Sequence, residues 1–155
     1  MLTIYVDADA CPVKEEVYRV ARRYAMRAVV VANNPLWVPA DPLVELVVRT
    51  GFGAADDWIA EQCGPGDIAI TADIPLAARC VAKGTLVLDP KGRPFTERNI
   101  GEAVAMRDLR EELRQGGEMT GGPSPMTPKD RSRFLSKLDE AVNAVRRLYP
   151  ANPER

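Results

Sequence analysis

Five short apolar segments alternate with helical segments along this chain, and this alternation constrains its fold more than any other feature. The apolar segments show no polar alternation, which is typical of strands buried on both faces of a sheet. Between them, apolar residues recur at helical spacing. The pattern predicts an α/β fold with three layers, in which helices cover both sides of a mostly parallel central sheet. The predicted strands are residues 2–6, 28–32, 43–48, 67–71 and 85–88.

The last third of the chain is predicted to be mainly helical. One helix is expected over Asn99–Gln115 and a second from Thr127, its N-cap, to about Leu148, with a Gly/Pro-rich loop at 116–128 between them. A length of 155 residues corresponds to one ordinary domain. We therefore expect a single domain over residues 1–150 and a frayed tail at 151–155.

The chain has no histidine, and this removes whole classes of catalytic site. Ser-His-Asp triads, histidine zinc sites and imidazole acid–base catalysis are excluded. The three widely spaced cysteines contain no CxxC pair and indicate a reducing compartment. The N-terminus does not resemble a secretory signal, and no apolar run reaches the ~20 residues that span a bilayer. We expect a cytoplasmic protein without a membrane partner, whose chemistry depends on carboxylates.

Aspartates follow four of the predicted strands. Because the carboxyl ends of parallel strands share one edge of a sheet, we expect these side chains to converge there. Carboxylates gathered in one place repel one another, and a hard divalent cation such as Mg²⁺ or Mn²⁺ removes that repulsion. Such sites on α/β scaffolds typically serve phosphoryl chemistry. The aspartates concerned are Asp7 and Asp9, Asp56 and Asp57, Asp73, and Asp89.

The same aspartates also have a simpler structural interpretation. Aspartate is a favoured helix N-cap, and Asp9, Asp56 and Asp73 each precede or open a predicted helix. Taken singly, each is more typical of a cap than of a ligand. Asp7 comes too early to cap a helix whose first turn is predicted to hold Pro12, and the paired acids exceed what capping requires. Taken together, the set favours a metal site.

Four segments of the sequence resemble the bacterial YaiI/YqxD family, which is similar to PIN-like domains. The resemblance covers nearly the whole chain. PIN-like domains are metal-dependent nucleases built on a parallel α/β sheet, so the resemblance implies a PIN-like fold and, by analogy, nuclease activity. The segments are Ile4–Lys14, Ala55–Ile59, Asp67–Ala77, and Gly121–Pro123 together with Lys129–Arg131.

The resemblance also implies roles for individual aspartates. Asp7 and Asp73 best match the strand-end acids of PIN-like nucleases, and Asp9 and Asp57 come next. Many PIN-type sites include a glutamate on a middle helix, and here Asp56 or Asp57 would have to serve in its place. The leading hypothesis is a nuclease in which Asp7, Asp9, Asp57 and Asp73 bind Mg²⁺ or Mn²⁺. Catalysis would then fall to Asp7, Asp9 and Asp73, with Asp9 orienting the attacking water.

A nuclease also needs cations that contact the phosphate backbone. Because the formal net charge is −1, this contact must come from a local patch. We expect nucleic acid as the partner, with RNA favoured, and Trp37 as the candidate for base stacking. Cys11 is expected to pack locally. The predicted substrate-binding cations flank Gly-rich segments and are Lys91, Arg93, Lys129 and Arg131.

Two other functions remain open from the sequence. Asp7-Ala8-Asp9 after a first strand resembles the start of haloacid-dehalogenase-like phosphatases, in which Asp7 would attack phosphorus and Asp9 would act as acid and base. The later lysine and acidic motifs of those enzymes are not clearly placed here. Alternatively, the chain is a non-catalytic PIN-like module that binds RNA or acts as an adaptor, with acids that cap helices.

Overall fold

The computed structural model describes residues 2–115 and 125–150, which form six strands and five α-helices. The predicted α/β fold is confirmed. The tail at 151–155 and residues 116–124 of the predicted loop lie outside the described residues. In chain order the elements are β1 (Thr3–Asp7), a 3₁₀ turn (Ala8–Ala10), α1 (Lys14–Tyr24), β2 (Arg27–Ala32), β3 (Val44–Val48), α2 (Ala54–Gln62), β4 (Ile68–Ile70), α3 (Ile74–Ala82), β5 (Leu86–Leu88), β6 (Pro94–Phe95), α4 (Glu97–Gln115) and α5 (Pro128–Leu148).

The sheet has the strand order β3-β2-β1-β4-β5-β6, with β1 in its interior. The first five strands pair in parallel, as predicted, and β6 pairs antiparallel with β5. The chain proceeds outward in one direction from β1 to β3 and in the other from β4 to β6. In doubly wound sheets the ligand crevice lies where this direction reverses, outside the carboxyl ends of the strands. Here that place is beyond the ends of β1 and β4.

The two faces of the sheet carry separate apolar cores. Ile4 and Val6 of β1 pack with α1 and α5, whereas Tyr5 packs with α2 and α3 on the opposite face. The strands are therefore buried on both sides, which explains why their sequences lack polar alternation. Fully burying an aliphatic side chain contributes about 1.5–3 kcal/mol, so both faces hold the three layers together.

The helix boundaries differ from the predicted ones at two places. The first helix begins at Lys14, not around Pro12, because a 3₁₀ turn occupies residues 8–10. Its N-cap, Val13, makes no side-chain capping bond. α4 begins at Glu97, two residues earlier than predicted. α5 begins as predicted, with a capping box between Thr127 and Asp130. None of the helices in the described residues is long and apolar enough to cross a membrane.

Candidate functional site

A cleft of about 330 Å³ opens where the direction of strand order reverses. Its walls come from the ends of β1, β2 and β4 and from the first turn of α2. Four of the strand-end acids converge here, as predicted from the sequence. We call this site the acidic cleft, and its lining residues are Asp7, Asp9, Asn33, Asp56, Ala72 and Asp73.

Asp7 is the most deeply placed of these acids. It is the last residue of β1, and only 6% of its surface is exposed. The Thr71 hydroxyl donates a hydrogen bond to Asp7 Oδ2 at 2.8 Å and accepts one from the Asp73 backbone N–H at 2.9 Å. Burial raises the pKa of Asp7, the Thr71 hydrogen bond opposes that rise, and the nearby Asp73 and Asp9 add to it. Thr71 therefore fixes the position of Asp7 relative to the start of α3.

One of the three predicted helix caps is observed. Asp73 Oδ1 accepts a hydrogen bond from the Leu76 backbone N–H at 2.9 Å, so Asp73 caps α3 while it also lines the cleft. Asp9 caps no helix; its Oδ2 accepts a hydrogen bond from the Asn33 N–H at 3.0 Å. The N-cap of α2 is Gly53, at φ 71°, and not Asp56. The capping interpretation therefore explains Asp73 alone.

The structure places Asp56, and not Asp57, at the cleft. Successive residues on a helix point about 100° apart, so only one of the pair can face the sheet edge. Burial raises the pKa of Asp56 to about 6, and the negative charges of Asp7 and Asp73 contribute to the rise. Asp57 instead forms an ion pair with Arg79 of α3, at 2.7 Å. Asp57, which the sequence predicted as a ligand, therefore does not line the cleft, whereas Asp56 does.

The acidic cleft has the donor chemistry of a hard-cation site. Within residues 2–115 and 125–150, no three acidic or cysteine side chains stand close enough to enclose an ion by themselves. Mg²⁺, however, is usually held by one or two carboxylates together with waters and substrate phosphates. Burial is the main cause of the raised pKa values of Asp7 and Asp56, and repulsion from neighbouring aspartates adds to it; a cation relieves such repulsion. The residues present therefore fit this looser mode of binding.

Sequence reasoning missed two neutral polar residues of the site and one cation beside it. Thr71 and Asn33 follow β4 and β2, so the rule that found the aspartates would also have found them if neutral side chains had been counted. Lys14 lies in the first turn of α1; its Nζ donates to the Cys11 carbonyl at 2.7 Å, and its charge partly offsets the burial that raises the pKa of Asp7. No sequence pattern distinguished Lys14 from the other surface lysines.

The four predicted substrate-binding cations lie around the start of α5 and the β5–β6 turn, and none of them lines the acidic cleft. The backbone N–H groups of Lys91 and Arg93 both donate to Asp89 Oδ1, at 2.8 and 2.9 Å, which shapes the turn. Arg131 donates to the Pro12 carbonyl at 2.7 Å and pairs with Glu16 at 3.3 Å. Lys129 is exposed in the first turn of α5.

Of the remaining candidates, Cys11 is buried, and burial raises the pKa of its thiol to about 11. A thiol that is protonated at neutral pH fits the predicted packing role and not nucleophilic catalysis. Trp58 of α2 is half-buried and packs against Tyr5 with ring centroids 6.1 Å apart. Trp37 is 75% exposed and stays a prediction for base stacking.

Comparisons with known proteins identify the relatives of this chain. The family model described as "Uncharacterized BCR, YaiI/YqxD family" matches residues 5–144. A UPF0178 protein of Bradyrhizobium sp. (strain ORS 278) is 56% identical over 151 residues, covering 97% of this chain and 92% of that protein. A UPF0178 protein of Nitrobacter winogradskyi is 55% identical over 151 residues, covering 97% of this chain and 96% of its own length. No solved structure gave a significant match. The chain therefore belongs to the YaiI/YqxD family.

Proposed function

We propose that this protein is a metal-dependent phosphodiesterase that cleaves nucleic acid, with RNA favoured, in the acidic cleft. The observation that carries the proposal is the convergence of Asp7, Asp9, Asp56 and Asp73 where the strand order reverses. Burial raises the pKa values of Asp7 and Asp56, and the negative charges of their neighbours add to the rise, a combination typical of functional sites. The resemblance to PIN-like nucleases supports the same chemistry by analogy.

Asp7 and Asp56, whose residues line the cleft, would hold Mg²⁺ or Mn²⁺. The chemistry that such a cation would supply there is Lewis-acid polarisation of the phosphate and a lower pKa of bound water. The Thr71 hydroxyl orients Asp7 through its 2.8 Å hydrogen bond. Asp9, at the exposed side of the cleft, uses Oδ2 for the Asn33 N–H and keeps its second carboxylate oxygen to accept the proton of the attacking water. Lys14 supplies positive charge beside Asp7 for the substrate phosphate.

Hydrolysis of single-stranded RNA and DNA with Mn²⁺ or Mg²⁺ tests the proposal. Asp7→Asn keeps the size of the side chain and the hydrogen bond from Thr71 but removes the charge, so we expect the rate to fall about a hundredfold or more. Asp108→Asn is the control, because it removes the same charge from an exposed position on α4 that does not line the cleft. Equal residual activity in wild type and Asp7→Asn would refute the proposal.

Calorimetry with Mn²⁺ separates the proposal from the adaptor interpretation. We expect wild type to bind Mn²⁺ and Asp7→Asn to bind it more weakly. Retained affinity for RNA with no binding of Mn²⁺ or Mg²⁺ at millimolar concentration would favour a non-catalytic RNA-binding module instead. Hydrolysis of a small phosphomonoester, together with an acid-labile phosphate on Asp7, would favour the aspartate-nucleophile phosphatase.

A further inference from the structure

The ion pair between Asp57 and Arg79 lies beside the acidic cleft and joins α2 to α3. Arg79 Nη1 and Asp57 Oδ1 are 2.7 Å apart, and their side chains are 48% and 60% exposed. Asp57 directly follows Asp56, which lines the cleft. Because Arg79 is bonded to the residue next to Asp56, its guanidinium lies beside the turn of α2 that borders the cleft, although it does not line the cleft itself.

Asp57 lies in the first turn of α2, where an acid interacts favourably with the helix dipole, but it does not cap the helix. The N-cap of α2 is Gly53, and the side chain of Asp57 makes its hydrogen bond to Arg79 and not to a helix terminus. An exposed ion pair of this kind contributes only about 0–1 kcal/mol to stability. Breaking this ion pair therefore costs little free energy, so Arg79 is able to exchange Asp57 for another anionic partner.

Arg79 has the chemistry to accept a phosphate in place of a carboxylate. Its planar guanidinium carries five N–H donors in a fork that matches carboxylate and phosphate oxygens alike. The cleft itself is lined by four aspartates, so a phosphodiester that enters it needs cations at the rim. Lys14 supplies one cation on the β1 side, and Arg79 stands on the α2–α3 side.

We propose that Arg79 binds a backbone phosphate of the nucleic-acid strand at the rim of the acidic cleft, and that Asp57 holds Arg79 in position until that phosphate displaces its carboxylate. This inference rests on the proposed function, since it names a substrate-binding residue of the same site. It gives Asp57 a role opposite to that of a metal ligand: Asp57 competes with the substrate instead of helping to bind it.

The two members of the pair then have opposite effects on binding, and fluorescence anisotropy measures them. The probe is a short fluorescein-labelled single-stranded RNA, with Ca²⁺ in place of Mg²⁺ to slow cleavage. We expect Arg79→Gln to weaken binding about tenfold, as for the loss of one charge-assisted hydrogen bond. We expect Asp57→Asn to strengthen binding about threefold, as for release of a surface ion pair. In the double variant the gain from Asp57→Asn should disappear.

Arg107 and Asp108 of α4 provide a matched control, because they form an ion pair with side chains 49% and 67% exposed. Asp108→Asn should leave RNA binding unchanged, which shows that the gain at position 57 is not a general effect of removing one negative charge. Weaker binding by Asp57→Asn would overturn the inference and restore the metal-ligand role. A gain that persists in the Arg79→Gln background would also overturn it.

The failure of this inference is distinguishable from failure of the proposed function. If wild type binds the RNA and only the sign of the Asp57→Asn effect is wrong, the phosphodiesterase proposal stands without this role for Arg79. If wild type binds no RNA with or without a divalent cation, the proposed function fails and this inference fails with it.

Discussion

Asp7 and Asp67 are two aspartates at opposite ends of the parallel strands, Asp7 at the carboxyl ends and Asp67 at the amino ends. Their carboxylates have different surroundings. Asp67 directly precedes β4, and its carboxylate accepts hydrogen bonds from the backbone N–H groups of Thr3 and Gly64, both at 3.1 Å. Asp7 ends β1, and its carboxylate accepts one hydrogen bond from the hydroxyl of Thr71 at 2.8 Å. Burial raises the pKa of both acids, but the two backbone N–H groups oppose the rise at Asp67.

The difference lies in what surrounds each carboxylate. Asp67 is held by fixed backbone dipoles and lies near the positive charge of Lys83, and together these offset part of its desolvation. At Asp7, by contrast, the charges of Asp73 and Asp9 add to the effect of burial. Carboxylates that are held among like charges are typical of catalytic and ligand-binding sites. This distinction supports a ligand-binding role for the acidic cleft more directly than the number of its aspartates.

The largest expected effect is on stability, and it comes from replacing Asp67 and Asp7, one at a time, by asparagine. Asp67→Asn should lower the free energy of unfolding by about 2 kcal/mol, because an amide can accept from only one of the two N–H groups and its own NH₂ opposes the other. Asp7→Asn should be neutral or stabilising in metal-free buffer, since it removes repulsion and keeps an acceptor for Thr71. Urea denaturation with a chelator measures both. Comparable losses at the two positions would contradict the distinction.

A smaller effect is expected at Thr71, whose hydroxyl connects Asp7 to the start of α3. Thr71→Val should cost about 1–2 kcal/mol, because the Asp73 N–H and Asp7 both lose their hydrogen-bond partner. If the phosphodiesterase proposal holds, the hydrolysis rate should also fall, about tenfold. Thr71→Ser keeps the hydroxyl and should preserve most of the stability and most of the hydrolysis rate. A serine variant as impaired as the valine variant would show that packing of the methyl group matters instead.

The smallest effect is a pH dependence carried by Asp56. Its pKa is about 6 in the folded protein, against an ordinary value of 3.8, so the folded state binds more protons between these values. Stability from this group is therefore present at low pH and is lost as the pH rises from about 4 to about 6. Because Asp56 is only partly buried, solvent screening limits the change to about 1 kcal/mol or less.

Comparison of wild type with Asp56→Asn isolates this contribution. Other acids titrate in both proteins and cancel in the difference. We expect the wild type to lose more stability than the variant between pH 4 and pH 7, by urea denaturation in chelator. Parallel pH profiles would show that Asp56 is solvated like an ordinary surface acid and does not share the repulsion of the cleft.

The fold class, and the convergence of strand-end acids in the candidate site, could be predicted from the sequence because both depend on short-range patterns. Doubly buried strands are visible as apolar runs, and parallel strands send their carboxyl ends to one edge, so Asp7 and Asp73 could be placed. The choice between Asp56 and Asp57 could not, because it depends on how α2 is rotated against the sheet. The partner of Asp57 is 22 residues away at Arg79, a distance in sequence that no local pattern records. β6 has two residues, too few to show any periodicity.

The interior position of β1 affects how often the backbone around the cleft opens locally. β1 is hydrogen-bonded on both sides, by β2 and β4, whereas β3 forms an edge of the sheet. Amide protons exchange with solvent when segments open locally, and strands in the middle of a sheet open least often. The strand ends that carry Asp7 and Thr71 should therefore exchange slowly, whereas the edge strand β3 should exchange faster. The most buried acid of the cleft is thus attached to the part of the sheet that opens least often.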